Sequence, residues 1–177
     1  MCGRTPTICL LGDVMLGRSV AETLALTAGA DVWSPGVREV CADCDVLVVN
    51  LECCVSGQGS PTAVIPGKRF FFRAPPGAVD ALRAIGASVA GVANNHALDF
   101  GADALVDTLG HLRAAGIVPV GAGNEIGSAR RGVVVSVGGL LLGVSRIVSI
   151  PTNNVPSLCF AKRNATVSEG RMALVGP

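Results

Sequence analysis

The stretch ASVAGVANNHALDFGADALVDTLGHLRAAGIVPVG, Ala87 to Gly121, decides the fold. Its first apolar run, Ser88 to Val92, reads as a core strand ending in Ala93-Asn94-Asn95-His96. A helix follows from Gly101 to Ala115, with Leu105, Leu109 and Leu112 on its inward face and Gly116 as its stop. Ile117 to Gly121 is then a second short strand. Strand, helix and strand in that order make a parallel crossover unit, so the class is α/β.

The same alternation extends outward. Upstream, Thr7 to Leu11 reads as a buried strand running into Gly12-Asp13, and Ser19 to Leu26 and Pro35 to Cys41 read as helices. Asp45 to Asn50 is a strand leading into Leu51-Glu52, and Cys53 to Pro66 a loop rich in Gly, Ser, Pro and Thr. The aromatic-dense Lys68 to Arg73 reads as a strand, and Pro75 to Ile85 as a helix packing Val79, Leu82 and Ile85 on one face. Downstream, Val133 to Val137 and Leu140 to Val144 form a hairpin across Gly138-Gly139, a pair that tolerates positive φ.

Composition narrows the function. The 177 residues are 50% hydrophobic, with 14 Lys and Arg against 13 Asp and Glu, which excludes disorder and offers no basic stripe for a phosphate backbone. With five Phe, one Trp and no Tyr, stacking platforms for bases are scarce, so nucleic acid is not an expected partner. No apolar run has signal-peptide or membrane-spanning length, which predicts a cytoplasmic chain without a transmembrane segment. The seven cysteines are odd in number and read as reduced, buried small apolar residues. Cys41 and Cys44 also form a CxxC, which leaves a thiol-based metal or redox module as a competing reading. Residues 146–177 carry four basic groups and one acidic, lack periodicity, and read as an irregular tail after a domain spanning 7–145.

Polar residues cluster where strands end. Asp13, Asn50 to Glu52 and Asn94 to His96 each follow an apolar run, and ligands of open α/β sheets bind at such ends. Asp13 and Glu52 are hard oxygen donors for a divalent cation, Asn95 offers an amide oxygen, and His96 a ligand or general acid. Taken singly, Asp13 also reads as a helix N-cap, Glu52 as a solvated acid and Asn94-Asn95-His96 as a turn. Their joint placement favours a site.

The segments LLGDVMLGR (Leu10 to Arg18), VVNLE (Val48 to Glu52), FRAPPGAVDALRAIGASVAGVANNHALDFG (Phe72 to Gly101) and DTLGHLRAAGIVPVGAG (Asp107 to Gly123) occur in order. Together they resemble the CapA family of capsule, or poly-γ-glutamate, biosynthesis proteins, itself similar to calcineurin-like metallophosphoesterases. The resemblance implies a metallophosphatase-like α/β sandwich, present here as its N-terminal half. It implies Asp13, Glu52 and Asn95 as ligands of a divalent metal (Mn, Fe, Zn or Mg), His96 as the catalytic residue, and Arg18, Asn94 and Asp99 in supporting or substrate-facing roles. A polyglutamate or other capsule precursor is the implied substrate, and family members can be membrane-associated.

The sequence departs from that pattern in its histidines. The metallophosphoesterase pattern needs a later GHxH-like segment, whereas this chain has only His96 and His111, the latter set for a solvated pair with Asp107. Two readings follow: a metallophosphoesterase-like domain completed by a partner chain, or a non-catalytic remnant of one.

Overall fold

The computed structural model describes residues 4–27, 29–62 and 67–145, together with Leu174–Val175. Its centre is a four-stranded, all-parallel sheet in the order β1 (Ile8–Val14), β2 (Val46–Leu51), β5 (Ala87–Gly91) and β6 (Val118–Val120). Between β1 and β2 lie α1 (Ser19–Leu26) and α2 (Pro35–Ala42). Between β2 and β5 come the short parallel pair β3 (Cys54–Val55) and β4 (Arg73–Ala74), then α3 (Val79–Ala84). The crossover from β5 to β6 carries α4 (Gly101–Ala114). After α5 (Ile126–Arg130), β7 (Val133–Val137) and β8 (Leu140–Val144) form an antiparallel hairpin, which β9 (Leu174–Val175) extends along β8.

These elements form where hydrophobic period and punctuation agree. Leu105, Leu109 and Leu112 recur at helical spacing on α4 and all three are buried, joined in the core by Leu47, Leu51, Leu82, Val89 and Ile117. Ser34 caps α2 by accepting a hydrogen bond from the Val37 amide, with Pro35 opening the helix. At the hairpin, Gly138 and Gly139 take φ of 54° and 81°, positive at both positions as the tightest hairpin turn requires. Thr108 docks β3 onto α4: its buried hydroxyl accepts from the Val55 amide at 2.9 Å and donates to the Ala104 carbonyl at 2.6 Å.

Several expectations need correction. The first strand runs to Val14, so Asp13 lies inside β1, after an irregularity between Leu10 and Asp13, and is not a helix cap. Of Lys68 to Arg73 only Arg73 is in a strand, because the Lys68 side chain and the Phe72 amide are both tied to Asp99. The expected loop after Cys53 contains β3, and the helix expected from Pro75 begins as a 3-10 turn at Pro76–Ala78. The cysteines are not uniformly reduced: Cys9 and Cys44 form a disulfide with Cα atoms 5.9 Å apart, joining β1 to the turn that leads into β2. That pairing takes Cys44 away from Cys41, a buried free thiol, and removes the CxxC as a two-thiol centre. Apart from β9, the segment 146–177 lies outside the described residues. No helix among the described residues is long and apolar enough to cross a membrane.

Candidate functional site

Parallel strands in register bring their ends to a common edge. Asp13 of β1 stands beside Asn50 of β2, and Asn50 stands beside Gly91 of β5. The Asn50 amide donates to an Asp13 carboxylate oxygen. Asn94, just past β5, donates to Asn50 Oδ1 at 3.2 Å and to the Leu51 carbonyl at 2.8 Å. One chain of amides thus connects all three strand ends. Glu52 is tied to the same edge by its amide, which donates to the Val14 carbonyl at 2.9 Å.

The Asn94-Asn95-His96 turn is folded by its own side chains. Asn94 Oδ1 accepts from the His96 amide at 3.0 Å, a local bond that aims the imidazole back toward β2. His96 Nε2 then lies 4.0 Å from Glu52 Oε1. Its Nδ1 is 2.8 Å from Asp99 Oδ2, and its ring stacks on Phe72 with centroids 4.0 Å apart at 22°. With Nδ1–H donating to Asp99, Nε2 is the nitrogen left facing the strand ends.

Asp99 is buried, and a buried carboxylate is costly unless its oxygens are paired. Here the Phe72 amide donates to Oδ2 at 2.6 Å and the Lys68 ammonium donates to Oδ1. Lys68 also donates to the Asn95 carbonyl, so one side chain holds both the acid behind His96 and the turn in front of it. Asn50, placed among the strand-end polar residues without a role of its own, is thus part of this site, as are Lys68 and Phe72, which the sequence did not place there. The signal for the last two was the run Lys-Arg-Phe-Phe-Phe-Arg from residue 68, whose basic and aromatic density was read only as strand propensity.

Each candidate has a definite place. Asp13, Glu52, Asn94, His96 and Asp99 are gathered along the connections just described. Arg18 stands over the Phe70 and Phe72 rings, on the lip of the same site. Asn95 reaches it by its main chain: its carbonyl is bonded to Lys68, while the residue itself is exposed. His111 sits apart, with Nε2 3.2 Å from Asp107 on α4. Behind the site, burial pushes the Cys53 thiol up to about 12 and that of Cys54 to about 11. Both are therefore neutral, unreactive packing groups at physiological pH.

The oxygen donors suit a hard divalent cation in kind but not in number. Asp13 and Glu52 are the two exposed or half-exposed carboxylates at the edge, and one Asp13 oxygen already takes the Asn50 amide. Among the described residues no group of three or more His, Cys, Asp and Glu is placed to hold a metal ion. Among the described residues these donors fall short of a metal's coordination shell.

The sequence profile of the family described as bacterial capsule synthesis protein PGA_cap matches residues 7–170. A probable polyglutamine synthesis accessory protein of Mycobacterium tuberculosis is 37% identical over 120 residues, covering 68% of this chain and 31% of that protein. The PGA biosynthesis protein CapA of Bacillus subtilis is 30% identical over 121 residues, again 68% of this chain and 31% of the relative. The capsule biosynthesis protein CapA of Bacillus anthracis is 28% identical over 134 residues, 76% of this chain and 32% of its own length. The chain thus spans about a third of the length of these curated relatives.

Proposed function

This chain belongs to the bacterial capsule synthesis protein family, and from that premise we propose that it serves poly-γ-glutamate, or capsule, biosynthesis. Its strand-end site is the N-terminal portion of a metal-dependent phosphoesterase-like centre. In this reading Asp13 and Glu52 contribute carboxylate oxygens to a divalent metal, and Asn95, whose carbonyl is held by Lys68, is left its side-chain amide oxygen as a third donor. The remaining ligands lie outside these donors. A polyglutamate or other capsule precursor carrying a phosphoryl group is the substrate class.

The observation that carries the reading is the convergence of Asp13, Glu52 and His96 at neighbouring parallel strand ends, connected through Asn50 and Asn94. What the chain's own residues do follows from it. Asp99 fixes the imidazole and leaves Nε2 to hold or release a proton beside Glu52. Phe72 covers one face of that ring and limits water there. Asn50 and Asn94 keep the three strand ends at one spacing.

The test is a Mn²⁺ titration of the full chain, with free ion followed by electron paramagnetic resonance. The expected result is weak binding, because few ligands are present, lost in Asp13→Ala. Mn²⁺ binding indifferent to Asp13→Ala and Glu52→Ala overturns the ligand assignment.

A further inference from the structure

Arg18 stands in a backbone conformation that side chains avoid. Its φ of 54° with ψ of −132° lies in a region ordinarily left to glycine, and it is the one non-glycine residue with positive φ among those described. It occupies the N-cap of α1 yet makes no capping bond, so local folding gives no reason for an arginine there.

The surroundings of its side chain give one. The guanidinium carbon lies 4.9 Å from the Phe72 ring centroid and 5.1 Å from that of Phe70. Phe72 is the ring stacked on His96, so Arg18 sits one aromatic layer from the imidazole. Gly17 permits this approach: a Cβ there would lie 2.6 Å from the Arg73 carbonyl oxygen, so only glycine lets the loop rest on β4. Among the described residues no carboxylate pairs with Arg18, which is exposed, whereas Lys68 is committed to Asp99 and Asn95. A planar fork of N–H donors is therefore positioned by ring faces while its hydrogen bonds remain unspent.

We infer that Arg18, seated on Phe70 and Phe72, binds a phosphoryl oxyanion of the substrate at the lip of the strand-end site. This deepens the phosphoesterase-like reading above and rests on it for the substrate class. In the metal-free chain the charge balance calls for such a group. Asp13 and Glu52 repel an anionic substrate, and a guanidinium supplies the offsetting cation in a geometry matched to two phosphate oxygens.

The test uses the full metal-free chain, titrated calorimetrically with inorganic phosphate at low salt. Wild type should bind, and Arg18→Met and Arg18→Gly should each weaken binding by at least about tenfold. Arg18→Gly should melt at or above the wild-type temperature, since glycine relaxes the positive φ, and this separates lost binding from damage. Phosphate affinity unchanged in both variants overturns the inference, as does a wild type that binds no phosphate. A clearly lower melting temperature for Arg18→Gly also overturns it, since that makes Arg18 a structural residue. Glutarate, a dicarboxylate, is the comparison ligand: tighter Arg18-dependent binding of glutarate than of phosphate overturns the phosphoryl assignment. Mn²⁺ titration of the same variants keeps the two readings apart. If no Mn²⁺ binds while phosphate binding still depends on Arg18, the metal reading fails and the Arg18 assignment stands.

Discussion

Lys68 and Asp99, 31 residues apart in the chain, form an ion pair with side chains only 10% and 0% exposed. The pair joins the segment before β4 to the turn that carries His96. Removing one partner leaves the other charge buried, which costs far more than the pair itself contributes. Lys68→Met should lose about 3–5 kcal/mol in urea denaturation, and adding Asp99→Asn should recover part of the loss. A single-variant loss below about 1 kcal/mol, the range of surface pairs, would contradict the burial argument.

The Cys9–Cys44 disulfide closes a loop across 35 residues at the edge of the sheet opposite the site. Cross-links of this kind typically contribute ~2–4 kcal/mol, largely through the unfolded state. Reductant should lower the melting temperature, and Cys44→Ser should reproduce the reduced curve. Superimposable melts with and without reductant would refute the pairing.

Cys53 and Cys54 should behave as packing residues. Because burial holds both thiols protonated, iodoacetamide at pH 8 should spare them in the folded chain and label them in urea, as peptide mass spectrometry reads directly. Stability follows the same sign. The unfolded thiols lose their protons near 9.0 and folded Cys53 near about 12, so stability is full below the first value and declines as pH rises toward the second. Labelling of Cys53 in the native chain would count against this packing.

The parts of this molecule legible in its sequence are those set by local pattern. The inward leucines of α4, the glycine turn of the hairpin and the polar ends of β1, β2 and β5 all follow from hydrophobic period and punctuation. The capping pair of α5, Glu125 with Ser128, is also local, an acid and a hydroxyl three residues apart. What stayed hidden depends on contacts far apart in the chain. Nothing near Lys68 announces Asp99, and nothing near Cys9 announces Cys44. Aromatic density around Phe71 suggested a strand, but Phe71 instead meets Phe100 edge-on across a tertiary contact, and the chain there is irregular. Asn50 was visible as a strand-end polar residue; its place as the bridge between Asp13 and Asn94 needed the register.

The most direct test of the account is steady-state hydrolysis of a generic phosphate ester, such as p-nitrophenyl phosphate, by the full chain with added Mn²⁺ or Zn²⁺. Asp13, Glu52 and His96 are gathered at one sheet edge, and among the described residues the donors are too few to hold a metal firmly. Turnover indistinguishable from that of Asp13→Ala and His96→Ala, all near background, is the expected result. Clear metal-dependent turnover by wild type, abolished in both variants, would contradict it and establish this chain as a working enzyme by itself.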